Sequence, residues 1–192
     1  IDPRKKDSSP TEEGRAMADR IFEPIDQIGF VVDDLDRSVA ARTASLGLGP
    51  WTVFRGVALD GRFRGQPTRV AIDVAIAYQG DVQIELIQPV GDAPSPYRDG
   101  KGAPLSGMHH MAWIVDDLDA AVAAAAARGL APVFEAKNPS TRVAYLETPD
   151  DPGVLYEFIE GAGMREMVAA GIAAARGWDG SDPVTVIDLG EQ

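Results

Sequence analysis

Two segments of this chain have nearly the same sequence: IDQIGFVVDDLD at residues 25–36 and MHHMAWIVDDLD at residues 108–119. The second begins 83 residues after the first, and the pentapeptide VDDLD is identical in both. A repeat of this length is longer than the units of most solenoid proteins. The spacing therefore indicates a duplicated half-domain rather than an array of small repeats.

A second, weaker match extends the duplication. VQIELI at residues 82–87 corresponds to VLYEFI at residues 154–159. When the two halves are superposed, side chains that can bind a metal ion coincide in two pairs. These pairs are Gln27 with His110 and Glu85 with Glu157.

The hydrophobic pattern predicts the order strand–helix–strand–strand–strand in each half. Acidic residues before each helix suit a helix N-terminus. In the first half the predicted elements are strands Ile25–Val32, Trp51–Val57, Val70–Tyr78 and Val82–Gln88, helix Leu35–Leu46 and a loop at Gly56–Pro67. In the second half they are strands Met108–Val115, Pro132–Ala136, Arg142–Glu147 and Val154–Ile159, and helix Leu118–Arg128. A helix at Met164–Arg176 and a short strand at Val184–Leu189 are predicted to follow.

The predicted fold class is α+β, with two tandem βαβββ modules related by a pseudo-twofold axis and a sheet curved into a cup. The polar N-terminus predicts a disordered or tag-like leader. The predicted divisions are the leader at 1–23, the first module at 24–90, a linker at 91–107, the second module at 108–160, and a C-terminal helix and tail at 161–192.

Strand alternation predicts which side chains share a face of the sheet. The bulky residues of each first strand should pack against the helix of their own half. His109 should point to that helix side and have a structural role. The opposite, concave face should carry the four candidate ligands, which are Gln27, Glu85, His110 and Glu157.

Composition limits the classes of partner and of chemistry. The chain has 18 basic and 30 acidic residues and a formal charge of −12, which argues against nucleic acid or an anionic membrane as a partner. It has no cysteine, so disulfides, thiol nucleophiles and thiolate metal sites are excluded. No apolar run approaches the length of a membrane span, and the cytoplasm is the expected location. The expected partner is a small-molecule substrate.

The four candidate ligands form a donor set suited to a divalent metal ion. One amide oxygen, one imidazole nitrogen and two carboxylates balance the charge of such an ion and leave room for water or substrate. This set favours zinc, manganese, nickel, cobalt or magnesium over a soft ion. A lone histidine or glutamate on a strand is more often structural, so the indication depends on all four lying on one face.

Two strand–helix–strand–strand–strand units with ligands on their first and last strands resemble the vicinal oxygen chelate superfamily. The resemblance covers about residues 24–160 and rests on the paired VDDLD motifs and the two glutamates. The superfamily includes glyoxalase I, methylmalonyl-CoA epimerase, extradiol dioxygenases and bleomycin-resistance proteins. Within it, the order Gln, Glu, His, Glu looks like the zinc set of eukaryotic glyoxalase I. The epimerases usually have a histidine where this chain has Gln27.

The resemblance also shows where this chain departs from each branch. The glutathione clamp of glyoxalase I looks like an arginine shortly after the first ligand and an asparagine just after the glutamate of the fourth strand. Neither is present here. The sequence after Ile84 and after Gly107 resembles the epimerases more closely. The epimerases carry an extra glutamate base on the third strand, where Asp73 is the candidate substitute.

The resemblance and the donor set together predict a metal-dependent isomerase, epimerase or lyase. It would remove a proton next to the carbonyl of a small molecule, such as an acyl-CoA thioester, through a metal-stabilised enolate. The candidate catalytic carboxylates are Glu85, Glu157 and Asp73. One alternative is a metal-free binding or sequestering protein with the same cup. An extradiol-type dioxygenase is less favoured, because the donor set has one histidine.

Two further expectations concern the pocket and the assembly. Small residues predicted to face the cup indicate a cavity larger than a methylmalonyl group needs. A homodimer is expected, because a curved open sheet leaves edges and faces to cover, and the tail at 161–192 would add a contact. The small residues are Gly29, Ala71, Ala75, Ala77 and Ala112.

Overall fold

Each copy of the VDDLD segment joins the first strand of its half to a helix. The structure, a computed structural model, describes residues 22–150 and 152–190. Asp34 accepts a hydrogen bond from the backbone N–H of Arg37, and Asp117 accepts one from the backbone N–H of Ala120. Equivalent aspartates thus cap both helices, which stabilises each helix start. The duplicated sequence therefore has the same local structure in both halves.

The described residues contain three helices and nine strands. The first half consists of β1 (Gln27–Val31), α1 (Leu35–Leu46), β2 (Trp51–Phe63), β3 (Gln66–Gln79) and β4 (Val82–Val90). The second half consists of β5 (Gly107–Ile114), α2 (Leu118–Ala126), β6 (Ala131–Lys137), β7 (Thr141–Glu147) and β8 (Leu155–Gly161). The remaining elements are α3 (Met164–Gly177) and β9 (Val184–Asp188).

These strands form one sheet with the order β3-β4-β1-β5-β8-β7-β6-β2-β9. The two halves meet twice, through antiparallel pairing of β1 with β5 and of β2 with β6. Because β2 also pairs with β3, the curved sheet closes into a barrel. The predicted α+β class with two βαβββ modules is confirmed, and the cup is a barrel closed within a single chain.

The helices cover the outside of the barrel, and a separate apolar core fills part of its inside. Leu35 and Val39 of α1 pack against the outer face of the first half. Leu118 and Ala125 of α2 pack against the outer face of the second half. The inner core includes the buried side chains Val31, Ile72, Val74, Ile87, Phe134 and Ile159.

The predicted loop at Gly56–Pro67 is wrong, because β2 and β3 continue through it as one long hairpin. The two strands are joined by a two-residue turn at Arg64 and Gly65. Arg64 has φ 48° and Gly65 has φ 79°. A type I′ hairpin turn requires such positive values at both central residues. Cross-strand pairing therefore outweighs the local glycine and arginine content that suggested a loop.

The register between β3 and β4 places the alanines of β3 on the outer face, not in the cup. Ala75 pairs with Leu86, and Ala77 pairs with Ile84. Paired residues share a face of the sheet, and these four pack together in the core beneath α1. By alternation Ala71 lies on the same side. The small side chains allow close packing of the helix, so they do not enlarge the cavity.

The C-terminal segment adds a helix at one end of the barrel and a strand at its edge. Val168 of α3 packs against Tyr78 and Ile114. Gly171 leaves space for the ring of Tyr78, because a Cβ there would lie 2.1 Å from that ring. β9 pairs parallel with the first part of β2. None of the helices in the described residues is long and apolar enough to cross a membrane.

The predicted leader lies outside the described residues except for its last two positions. Phe22 packs against Trp113 and Phe158, with ring centroids 5.0 and 5.1 Å apart. The backbone carbonyl of Glu23 accepts a hydrogen bond from the Trp113 indole. These two residues therefore contact the second module.

Candidate metal centre and active site

Four neighbouring strands bring the predicted ligands together inside the barrel. Glu85, Gln27, His110 and Glu157 lie on β4, β1, β5 and β8, which are adjacent in that order. His110 Nε2 lies 3.2 Å from Gln27 Oε1, 3.3 Å from Glu85 Oε2 and 3.0 Å from Glu157 Oε2. The His110 side chain is fully buried, and those of Glu85 and Glu157 are 14% and 5% exposed.

The antiparallel pairing of β1 with β5 explains how these side chains approach so closely. Gly29 lies opposite His110, and Ala112 lies opposite Gln27. A Cβ on Gly29 would lie 1.9 Å from Cε1 of His110, so the imidazole occupies the space that a side chain would need. Each half thus has a small residue facing the ligand of the other half. The prediction that Gly29 enlarges the substrate cavity is therefore wrong.

His109 lies inside the barrel beside His110, and the prediction that it points to the helix side is wrong. In the β1–β5 pairing Gly29 is opposite His110, whereas Phe30 is opposite Met108. His109 is the extra residue of a β-bulge, which changes the alternation of side chains along the strand. It is buried, with its Nδ1 2.9 Å from Nδ1 of His110.

The hydrogen bonds of His109 assign the tautomer of His110. His109 Nε2 lies 2.8 Å from the carbonyl oxygen of Pro96, which can only accept, so this nitrogen carries the hydrogen. Burial, followed by the charge of His110, lowers the pKa of His109 to about 4, so its Nδ1 is an acceptor near neutral pH. His110 must then donate through its own Nδ1. When His110 is neutral, its Nε2 is therefore the free ligand nitrogen, and it faces both carboxylates.

A second hydrogen-bond chain orients Gln27 in the same way. The Gln27 amide nitrogen donates to Oε1 of Gln83 at 2.5 Å, and the Gln83 amide nitrogen donates to the Tyr78 hydroxyl at 2.7 Å. With its nitrogen engaged, Gln27 presents its oxygen to the centre of the cluster. Gln83 is buried and was not singled out from the sequence, although it shares a strand face with Glu85.

This donor set fits a divalent metal ion. Glu85 Oε2 and Glu157 Oε2 are buried next to His110 Nε2, so neither oxygen accepts a hydrogen bond while that nitrogen is unprotonated, which is an unfavourable state for a carboxylate oxygen. One ligand atom from each of Glu85, His110 and Glu157 lies within 4.8 Å of the others. This spacing is close to that of donors bound about 2.0–2.2 Å from one ion. The amide oxygen of Gln27 would complete the set.

Charges within the cluster shift the protonation of its members. Burial lowers the pKa of His110, but the adjacent carboxylates raise it by more, Glu157 with a larger effect than Glu85. The net result is a pKa of about 9. Burial raises the pKa of Glu157, and the charge of His110 acts in the opposite direction. Near neutral pH the metal-free cluster thus holds a proton on the imidazole, shared with the carboxylates.

Two buried tyrosines lie next to Glu157 and were not identified from the sequence. The hydroxyls of Tyr97 and Tyr145 are 3.1 Å apart, and burial raises the pKa of both well above 10. Tyr145 pairs with Glu157 across β7 and β8, and its hydroxyl lowers the pKa of that carboxyl by hydrogen bonding. Alternation along β7 could have found Tyr145. Tyr97 lies in the predicted linker, where the sequence carries no such signal.

A cavity of about 400 Å³ adjoins the cluster inside the barrel. Gln27, Glu85 and Glu157 line it on one side. Tyr97 and Tyr145 also reach it, and the other walls are mainly aliphatic. A substrate in this cavity would therefore contact the carboxylates directly.

Asp73, the third predicted catalytic carboxylate, does not reach the cavity. It pairs with Gln88 on the outer face of β3. Its carboxylate accepts hydrogen bonds from Arg55 and from the backbone N–H of Gly56, both at 2.9 Å. The prediction placed it in the cup because the sequence alone does not give the register of β3.

Comparison with known families supports the resemblance seen in the sequence. Residues 26–145 match the model of the Glyoxalase/Bleomycin resistance protein/Dioxygenase superfamily. No curated protein matches the chain.

Several solved structures are similar to this chain. One is a hypothetical protein from Bacillus halodurans, with 23% identity, a TM-score of 0.46, and coverage of 71% of this chain and 92% of that chain. Another is methylmalonyl-CoA epimerase from Mycobacterium tuberculosis, with 24% identity, a TM-score of 0.46, and coverage of 74% and 91%. A variant of Streptomyces coelicolor methylmalonyl-CoA epimerase in complex with 2-nitronate-propionyl-CoA has 23% identity, a TM-score of 0.46, and coverage of 73% and 96%.

Proposed function

The chain belongs to the Glyoxalase/Bleomycin resistance protein/Dioxygenase superfamily, and we propose that it is a metal-dependent isomerase, epimerase or lyase acting on a carbonyl compound. The reaction would begin with removal of a proton from the carbon next to the carbonyl group. The observation that carries the proposal is the convergence of buried oxygens of Glu85 and Glu157 on His110 Nε2, at the wall of a cavity.

A divalent ion, when bound, would act as a Lewis acid on the carbonyl oxygen and stabilise the negative charge of the enolate. Gln27, Glu85, His110 and Glu157 would hold it. Zinc, manganese, nickel, cobalt and magnesium all suit such nitrogen and oxygen donors. Gln83 and His109 would orient the amide and the imidazole, as second-layer partners of metal ligands do.

The two carboxylates are the candidate proton acceptors. Both line the cavity, and they approach it from strands related by the pseudo-twofold axis. Return of the proton to the opposite face of the enolate would give epimerisation. Return to a neighbouring atom would give isomerisation, and loss of a leaving group would make the protein a lyase. Burial raises the pKa of Glu157, which suits a group that accepts a proton near neutral pH.

Metal content and proton exchange test this proposal together. Protein purified without chelator should contain a stoichiometric divalent ion. It should also exchange the α-hydrogens of a ketone for deuterium in D2O, as measured by NMR, and chelation should stop the exchange. The matched control is His110→Ala, which should show neither metal nor exchange. Protein that binds no divalent ion at neutral pH would contradict the proposal.

One observation favours a second candidate, a metal-free binding or sequestering protein. His110 Nε2 lies 3.0 and 3.3 Å from carboxylate oxygens of Glu157 and Glu85. A protonated imidazole can balance much of their charge, so the cluster can persist without a metal ion. Ligand binding that is unaffected by chelator, without α-hydrogen exchange, would support this candidate.

An extradiol-type dioxygenase remains less favoured than either. Such enzymes usually offer two histidines and one carboxylate to iron. His109 is near the cluster, but its two ring nitrogens are engaged with Pro96 and His110. It is therefore not available as a second histidine ligand in this arrangement.

The homodimer is also a proposal, and β9 is the surface that it would use. Within the described residues β9 pairs only with β2, so its other edge carries free backbone groups. Val184, Val186 and Ile187 on this strand are 42%, 58% and 39% exposed. An exposed apolar edge strand favours pairing with a second copy. Light scattering at micromolar concentration should give the dimer mass, and Val186→Lys should shift it to the monomer.

A further inference from the structure

The walls of the barrel cavity differ sharply in polarity. The candidate ligands occupy one side, on β4, β1, β5 and β8. The other walls, formed by β2, β3, β7 and the end of β8, carry mainly aliphatic, branched side chains. The wall residues that carry this inference are Val57 and Leu59 of β2, Ile72 and Val74 of β3, Val143 of β7 and Ile159 of β8.

No lysine or arginine lines this cavity in the part of the chain that the structure describes. The charged side chains at its surface are Glu85 and Glu157, which belong to the ligand cluster. An anionic group placed against the aliphatic wall would have no cation to pair with. Burial of an unpaired carboxylate or phosphate is strongly unfavourable.

The arginines next to lining residues in the sequence are engaged elsewhere, including Arg165, which follows Met164 and donates to the carbonyl oxygen of Ile114. Arg55, which follows Phe54, bonds to Asp36 and Asp73 on the outer face. Arg142, which precedes Val143, bonds to Asp119 and Glu160. Strand alternation turns both guanidinium groups away from the cavity, so a small rotation would not bring either inside.

The rim of the cavity carries apolar and uncharged polar side chains. Met164 and Met167 of α3 line it, together with Leu189 beyond β9, and Asn138, Ser140 and Thr141 line it where β6 connects to β7. Methionine side chains adapt to apolar ligands of different shapes. The volume of about 400 Å³ is within the range of small-molecule sites.

We infer that the substrate is a neutral, largely hydrocarbon carbonyl compound, whose carbonyl oxygen faces the ligand cluster and whose carbon chain lies against the aliphatic wall. This inference rests on the proposed function for the position of the carbonyl. Compounds with a carboxylate or phosphate at the end of the chain away from the carbonyl are excluded by the wall.

A matched pair of ligands tests the inference on the unmodified protein. One is methyl heptyl ketone, and the other is the keto acid that carries a carboxylate at the far end of the same chain. Calorimetric titration, with zinc-loaded and with metal-free protein, should show the ketone binding at least about tenfold more tightly than the keto acid. Equal or tighter binding of the keto acid, or no binding of the ketone up to its solubility limit, would overturn the inference.

A variant sharpens the test by supplying the missing cation. Val57 is half-buried on the wall, and Val57→Lys should raise the affinity for the keto acid at least about tenfold. The control Leu46→Lys, at the exposed end of α1 and away from the cavity, should leave the preference unchanged. If Val57→Lys does not fold, the ligand pair on the unmodified protein still decides.

The proposed function can fail separately from this inference. If the protein binds the ketone more tightly but retains no metal and exchanges no α-hydrogen, the proposed reaction is wrong and the inferred substrate class stands. If it exchanges α-hydrogens but binds the keto acid more tightly, the proposed reaction stands and the inferred substrate class is wrong.

Discussion

The two halves of the barrel share one topology but differ in what surrounds their ligands. In the second half His110 is held by His109, in a bulge that the first half lacks, and Glu157 lies beside Tyr145. In the first half Gln27 is held by Gln83. The residue that pairs with Glu85 on β3, the strand corresponding to β7, is Ile76.

This difference separates the parts that provide geometry from those that provide chemistry. The duplicated strands place four side chains around one point, with a small residue opposite each first-strand ligand. The second half supplies the nitrogen donor and the buried Tyr145 hydroxyl. The first half supplies the amide oxygen and, through its long β2–β3 hairpin, much of the apolar wall. Substitutions at equivalent positions of the two halves should therefore have unequal effects on metal binding, activity and stability.

The largest expected difference is between the two first-strand ligands. His110→Ala should abolish retention of a divalent ion and activity together, because it removes the nitrogen donor. Gln27→Ala should weaken metal binding less, because a neutral amide oxygen can be replaced by water. Metal analysis after gel filtration measures both. Equal loss in the two variants would show that the halves contribute equally.

The next comparison is between the two carboxylates. Glu157→Gln should lower activity at least about a hundredfold while retaining more metal than activity, because a Gln oxygen can bind an ion but cannot accept the proton. Glu85→Gln should lower metal retention and activity by similar factors. Turnover and metal content measured on the same samples distinguish the roles. The opposite pattern would assign the base to Glu85.

Small residues opposite the ligands should also respond unequally. Gly29→Ala places a methyl group in the space of the His110 ring and should lower the free energy of unfolding by about 2 kcal/mol, with weaker metal binding. Ala112→Gly at the mirror position should cost about 1 kcal/mol or less. Urea denaturation of the metal-free proteins gives both values. Gly100→Ala is the control, because nothing lies near its Cβ position. A Gly29→Ala protein as stable as this control would refute the close-packing argument.

The supporting hydrogen bonds provide a smaller contrast. His109→Phe should weaken zinc binding about tenfold, because His110 loses the acceptor that keeps hydrogen on Nδ1. His109→Asn keeps an oxygen acceptor nearby and should restore most of the affinity. Gln83→Leu should have a smaller effect than His109→Phe. Competition with a chelator measures affinity, and 15N NMR of the metal-free protein above pH 9 reports the tautomer of His110. An unchanged tautomer in His109→Phe would remove its positioning role.

The pH dependence should be the most gradual effect. Because the pKa of His110 is raised from 6.5 to about 9, metal binding below about pH 9 must displace a proton. Apparent zinc affinity should therefore fall about tenfold per pH unit between about 9 and 7. The stability of the metal-free protein should change in the opposite direction and increase as the pH falls. The stability gained from protonated His110 is complete below pH 6.5 and is lost as pH rises through about 9. Affinity that does not change over this range would contradict the shared-proton cluster.

Repetition in the sequence was sufficient to predict the fold class and to select the four residues that meet in the barrel. The two VDDLD copies define equivalent strand–helix junctions, and alternation within short first and last strands assigns Gln27 and Glu85 to one face. These are local properties of the chain, because side-chain direction follows directly from spacing along a regular strand.

Tertiary structure decided what local pattern could not. Because of the register of β3 on β4, Asp73 and the alanines lie on the outer face, and because of a bulge in β5, His109 lies inside. Tyr97, in the loop after β4, lies in the site because the barrel is closed. Register, bulges and closure depend on pairing between residues far apart in the chain. A one-residue change in pairing moves a side chain to the other face without altering the periodicity of its own strand.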